Sequence, residues 1–415
     1  MSQPRRLQAG ELAQVLPPGG LTLVSSCSAE SDLLAAEVAA AGGALDDMAF
    51  SGIFVPGLNR KDWRAGERSR VLSFFMTPQL RELGHRLEFL PICYQDVVAL
   101  YRARRPTAAL FMCSPPDANG NCSFGTEVSF IADFWRDVPV RIAHINPAMP
   151  RTPGDVGIPF SELTAYYEGE QALRGTPDSP PDAVSQQIAA HILPYIEDGA
   201  TLQTGLGKIP DAVLDGLADR RNLRMHTGLI GDGALRLVQS GAMADGPSAL
   251  VGVAIGSEAL YAGLDNPHFQ FRPISQTHDL KLLGTIDRLV TINSALEADL
   301  FGQVYAEITP KGAMSGPGGA SDYARGGRLS PHGLRIIAFP STAAKGTVSR
   351  IISPFAAGGP VSLSRWDVDL IVTEHGVADI RGKGYDARAE ALIAIADPAH
   401  RDNLNNTWRE IAARL

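Results

Sequence analysis

The sequence is short of most features that would tie it to a special environment. Its 415 residues include only four cysteines, Cys27, Cys93, Cys113 and Cys122. None has the two-residue spacing of a zinc or redox motif, so free thiols in a reducing compartment are expected rather than disulfides. No apolar run approaches the roughly 18 residues of a membrane span, and the opening MSQPRRLQAGELAQVLPPGG lacks the apolar core of a signal peptide. A cytoplasmic protein with no membrane partner is the expectation. Basic residues fall short of acidic ones, 37 against 45, for a net charge of -8. No global attraction to nucleic acid follows, and an anionic ligand would have to be met by a local group of cations. Metal-ligand spacing is missing, so no metal is expected. The nearest approach to a dinucleotide or phosphate loop, Gln203-Thr204-Gly205-Leu206-Gly207-Lys208, lacks the third glycine and the following Ser or Thr that those loops need.

What is present describes an ordinary enzyme-sized chain. At roughly 100–200 residues per domain, two large domains are expected. Short aliphatic runs bounded by Gly, Pro or Asn occur at Leu21–Val24, Ala108–Met112, Val140–Ile145, Leu282–Leu283 with Val290–Ile292, Leu334–Phe339 and Val368–Val372. Helical patterns occur at Leu33–Ala41, Ala183–Ile196, Ile209–Leu217, Ala234–Gln239 and Ala387–Ala396. Continuous apolar strands alternating with helices predict an α/β fold with largely parallel sheets flanked by helices. Three prolines, a glycine and two aspartates in RGTPDSPPD, residues 174–182, mark a linker. It divides the chain into residues 1–178 and 179–415.

Three clusters follow predicted strands in the second half. The first reads as a loop, with Gly316, Gly318 and Gly319 before Asp322, Arg325, Gly326 and Gly327; bare backbone N–H groups there suit an oxyanion or phosphate, and so would a flexible surface turn. In the second, Lys345 and Arg350 lie among small hydroxyl residues, as a phosphate site or a solvated turn would have them. Glu374 and His375 belong to the third, where a packed histidine is the plainer reading. In the first half, Arg60 ends a Gly/Pro loop and Arg151 follows a proline turn. Each is a candidate partner for a substrate carboxylate and equally a structural arginine.

The order and wording of these blocks carry more than any one of them. INSALEADLFGQV, SGPGGASDYARGG, FPSTAAKGTVSRIISP and VDLIVTEHGVADIRGKG, with NGNCSFGTEVSF, INPAMPRTPGD and LQTGLGKIPDAV upstream, resemble the acetyl-CoA hydrolase/transferase family. The resemblance runs from about residue 20 to the C-terminus. It implies two related α/β domains with the active site in their cleft and a homodimer. It also implies acyl-coenzyme A and a small carboxylic acid as substrates, with no permanently bound cofactor. Gly316, Gly318 and Gly319 would then lie against the thioester, with Lys345 and Arg350 at the nucleotide phosphates.

One block departs from the family. Transferases of this kind carry a glutamate after His-Thr, which attacks the thioester and then holds CoA as a glutamyl thioester. Here the block reads Met225-His226-Thr227-Gly228-Leu229-Ile230-Gly231-Asp232-Gly233, and Gly228 stands in the glutamate position. Three readings follow: CoA transfer by a relocated carboxylate, with Glu127 the candidate and Glu258 and Glu297 behind it; hydrolysis by water admitted at Gly228, with His226 orienting it; or acyl-CoA binding without turnover. For Glu127 the plain alternative is a surface carboxylate on a loop.

Overall fold

The computed structural model describes residues 3–415, and these fall into two compact units. The first comprises the chain up to Asp178 together with Ala249–Thr277; the second comprises Ser179–Ser248 and His278–Leu415. This division differs from a single cut at 178 in grouping residues 249–277 with the first unit. Within the first unit the strand Ala249–Ala254 hydrogen-bonds the segment around Glu127, through Val128 N–H to Gly252 O at 3.1 Å and Ala254 N–H to Thr126 O at 2.9 Å.

The sheet of the first unit has eight strands: β1 (Arg5–Arg6), β2 (Gly20–Val24), β3 (Met48–Gly52), β4 (Arg70–Ser73), β5 (Leu87–Phe89), β6 (Ala108–Cys113), β7 (Val140–Ile145) and β8 (Ala165–Glu168). Their spatial order is β1-β8-β7-β6-β2-β3-β4-β5, with every pair parallel. All six residues of β6 are buried, as a strand covered on both faces requires. Val24, Phe50, Val71, Leu110 and Ile142 from successive strands pack with Leu34 and Val38 of the helix Asp32–Ala41 in one core.

In the second unit, β9 (Thr201–Thr204), β10 (Arg224–Ile230), β11 (Leu289–Asn293), β12 (Leu334–Ala338), β13 (Leu370–Thr373) and β14 (Gly376–Asp379) take the order β10-β9-β11-β12-β13-β14. All pairs are parallel except the last, a hairpin. The predicted strand at Leu282–Leu283 is instead part of the helix Leu280–Thr285, started by the Asp279 carboxylate accepting from Lys281 N–H at 2.7 Å and Leu282 N–H at 3.2 Å. The Gly-rich loop also ends earlier than expected. Gly319 caps the helix Ala320–Leu329, which takes in Asp322, Arg325, Gly326 and Gly327. Glycine is needed at 326 for packing rather than for a loop, since a Cβ there would come within 2.5 Å of the Leu283 Cβ.

In each sheet the chain reverses its direction of growth once. Strand β2 lies between β3, which follows it, and β6, to which the chain returns; β9 likewise lies between β10 and β11. The carboxyl ends of such strand pairs open the crevice in which α/β sheets hold ligands.

Candidate active site

At the reversal point of the second unit, β9 and β11 are tied by a reciprocal amide pair. Gln203 Nε2 donates to Asn293 Oδ1 at 3.2 Å, and Asn293 Nδ2 donates to Gln203 Oε1 at 2.9 Å. Next to them, Thr227 of β10 donates its hydroxyl to Thr204 O at 3.0 Å, which fixes the register of the block containing His226 and Gly228. His226 is buried and Gly228 half-buried.

The space a side chain at 228 would enter is already filled. A Cβ built on Gly228 lies 2.5 Å from Cε1 and 2.9 Å from Nε2 of His278, and one built on Gly319 lies 2.4 Å from the same Nε2. The His278 imidazole therefore sits against both glycines, one in β10 and one at the start of the helix Ala320–Leu329. The Tyr323 ring packs on it with centroids 4.7 Å apart. Burial, helped by nearby His226, pushes the His278 pKa down to about 3, so the ring is neutral at pH 7. On the Cβ side of Gly228 the imidazole thus stands where a side chain would begin. Sequence reasoning missed His278 altogether, since nothing in the sequence brings Gly228 and Gly319 to one place.

Gly316, Gly318 and Gly319 precede the first turn of that helix, where the free backbone N–H groups and the positive end of the helix dipole lie. Lys345 is exposed in the turn of the hairpin Thr342–Ala343 with Val348–Ser349. Arg350 is half-buried and, with Glu297, lines a cavity of about 370 Å³ whose other walls include Leu296, Ile308 and Val348. Burial pushes the Arg350 guanidinium below its usual pKa, against the pull of Glu374 and Glu297. Glu374 holds the end of β12, accepting from Ser341 N–H at 2.8 Å and Ser341 Oγ–H at 2.7 Å. His375 Nε2 stands 3.8 Å from both Glu374 and Asp397 carboxylates.

In the first unit the reversal point is built around carboxylates. Glu127 is not the surface residue that its loop composition suggests: it is 3% exposed. It accepts from Ser26 N–H at 2.6 Å, Ser26 Oγ–H at 2.9 Å and Ser129 Oγ–H at 3.2 Å. Burial outweighs those bonds and raises its pKa to about 7. Glu30, wholly buried, accepts from the backbone N–H of Arg60 and Lys61 and from Arg174 Nε at 3.2 Å. The Arg60 loop is thus held through its backbone while the arginine is exposed. Arg151 spends its donors on the 114–121 turn: Ser114 Oγ at 3.1 Å, Pro115 O at 3.3 Å, Asn121 O at 3.0 Å and Asp117 Oδ2 at 2.8 Å. Glu258 lines a cavity of about 750 Å³ beside Glu170, Leu173, Ser257 and Tyr261. Among the described residues no group of three His, Cys, Asp or Glu could hold a metal ion, and no helix is long and apolar enough to cross a membrane.

Two largely parallel α/β sheets and a glycine loop at a helix start describe a ligand-binding α/β protein, and comparison with known proteins supplies the CoA-thioester class. The acetyl-CoA hydrolase/transferase C-terminal domain matches residues 256–408. A 4-hydroxybutyrate coenzyme A transferase of Clostridium kluyveri is 36% identical over 334 residues, 78% of each chain. Among solved structures, RipA from Yersinia pestis superposes with a TM-score of 0.90 at 27% identity, covering 98% of both chains. A 4-hydroxybutyrate CoA-transferase from Porphyromonas gingivalis gives 0.80 at 28% identity, covering 99% of this chain and 98% of that one. The chain belongs to the acetyl-CoA hydrolase/transferase family, and it is an enzyme of CoA-thioester chemistry, a CoA-transferase or an acyl-CoA hydrolase.

Proposed function

We propose that this enzyme cleaves short-chain acyl-CoA thioesters with water as the acyl acceptor. The observation that carries the reading is at residue 228. The position that the family resemblance gives to a nucleophilic glutamate is a glycine, and the imidazole of His278 takes up the space beside it. A glutamyl thioester has no residue to form on there. Water then attacks the thioester carbonyl carbon, a carbon–oxygen bond forms as the carbon–sulfur bond breaks, and of the water's two protons one ends on the departing sulfur, giving the CoA thiol, and one goes to solvent, leaving the carboxylate. Backbone N–H groups of the Gly316–Gly319 loop face the carbonyl oxygen as negative charge develops on it, an interaction stronger in the transition state than in the ground state. His226 helps to orient the acyl group or the water. Arg350, with Lys345 beyond it, meets the phosphates of CoA, while in the first unit Arg60 is exposed and Arg151 has a structural part.

CoA transfer to an acceptor acid, with Glu127 as the relocated nucleophile, is the second reading. It is favoured by one observation, a carboxyl group at the first unit's reversal point with a pKa near 7. The bonds that Glu127 already accepts weigh against it as an attacking group. Incubation with a panel of acyl-CoA donors, with and without carboxylate acceptors, separates the two. Hydrolysis releases free CoA without any acceptor and leaves the chain unmodified after borohydride or hydroxylamine treatment. Release that requires an acceptor, with a modified Glu127 found by mass spectrometry, establishes transfer. Saturable CoA binding without turnover of any thioester would make the protein an acyl-CoA binder.

A further inference from the structure

Gly228 and His278 lie far apart in sequence and meet over one ring edge. The Cε1–Nε2 edge of the imidazole faces Gly228, and its Nε2–Cδ2 edge faces Gly319. Tyr323 covers the ring, and His278 is 1% exposed. The ring is therefore wedged between a strand and the first turn of a helix, and neither neighbour has room for even a methyl group while it stays there. Real Cβ atoms do not approach other heavy atoms at such distances, and a packed interior yields only by shifting side chains off their preferred rotamers.

We propose that residues 228 and 278 form an exchange pair that determines which acceptor the enzyme uses: a side chain at 228 requires a small residue at 278, and His278 requires glycine at 228. His278 is then a specificity-determining residue. By occupying the nucleophile's place it closes the covalent route to acceptor acids, and the acyl group passes to water. This inference rests on the hydrolytic reading for its chemistry, but its packing half is independent of any activity. It also means that Gly228→Glu alone does not restore a transferase, because the new Cβ meets the imidazole before the carboxylate can be placed.

The test is a four-protein cycle of the wild type, Gly228→Ala, His278→Ala and the double variant, read by thermal unfolding. Gly228→Ala is expected to lower the melting midpoint by about 2–10 °C beside His278 and by much less in the His278→Ala background. An equal loss in both backgrounds overturns the pairing. The chemical arm compares Gly228→Glu with Gly228→Glu/His278→Ala, using butyryl-CoA with acetate as acceptor. The double variant should transfer CoA to acetate at least about tenfold faster than the single one and give a borohydride-trapped adduct on residue 228, since only there has the carboxylate room to attack. A folded double variant that traps no adduct, or a single variant that transfers equally well, overturns the proposal. A wild-type enzyme that cleaves no acyl-CoA removes the functional reading instead, and the melting cycle still decides whether the two positions exclude each other.

Discussion

The two sheets reverse direction in the same way, yet each buries a different kind of titratable group at that point. The first unit encloses Glu127 and Glu30, both carboxylates, in cages of serine hydroxyls and backbone N–H groups. The second encloses His278 between glycines and a tyrosine ring. Burial penalises the charged form of either group, so the carboxyl of Glu127 is pushed toward keeping its proton and the imidazole of His278 toward refusing one. The same physical cost therefore gives the two units opposite responses to acid.

The largest effect expected from this contrast lies in the second unit. The His278 pKa falls from 6.5 unfolded to about 3 folded, so between those values the unfolded chain binds the extra proton. Its contribution is complete above pH 6.5 and is lost as the pH falls toward 3. At roughly 1.4 kcal/mol for each tenfold change in proton affinity this amounts to about 5 kcal/mol. Urea unfolding at a series of pH values should show this acid limb in the wild type and a flatter one in His278→Gln; identical limbs would break the contrast. Next in size, Glu30→Ala leaves Arg174 Nε and two backbone N–H groups without their acceptor, with Asp32 alone still holding the guanidinium. It is expected to cost about 3–5 kcal/mol by urea unfolding, with the Arg60 loop becoming sensitive to limited proteolysis.

Glu127 gives the opposite slope. Its pKa rises from 4.5 unfolded to about 7 folded, so the folded chain binds the extra proton between those values. Its contribution is complete below pH 4.5 and is lost as the pH climbs through 7, by about 3 kcal/mol. Glu127→Gln should remove that loss, leaving the variant the more pH-independent protein between pH 5 and 8, a range of about three decades in proton concentration. The smallest effect compares helix starts. Ser31 caps the helix Asp32–Ala41 in the first unit and Asp279 caps the helix that follows His278 in the second. Alanine at either is expected to cost about 1 kcal/mol by chemical denaturation. The Asp279 change should also reduce CoA release, since it loosens the backbone next to His278, whereas Ser31→Ala should leave it nearer the wild-type rate.

Much of the fold could be read from sequence because buried parallel strands are written as uninterrupted aliphatic runs. Leu21–Val24, Val140–Ile145 and Leu334–Phe339 each fall on a strand within a residue or so of its ends. Leu282–Leu283 failed because two apolar residues have no period, and the deciding signal was the capping Asp279 before them. Residues 320–327 failed because glycine content speaks for a loop, while the close approach to Leu283 that requires glycine at 326 is visible only in three dimensions. At the candidate site, the glycine at 228 was legible as a departure from the family pattern. What fills the space beside it was not, because His278 lies in no motif and its neighbours come together only through the order of the strands. Glu127 was misjudged for a similar reason, since its burial comes from a strand supplied by residues 249–254.

The reciprocal amides of Gln203 and Asn293 carry a consequence for the hold that β9 and β11 keep on each other. Parting them leaves a donor and an acceptor on each side without partners, a loss that hydrocarbon cannot make good. The two amides therefore act as a latch across the strands on either side of the chain's reversal, one that either partner loses entirely when the other is replaced by an apolar residue.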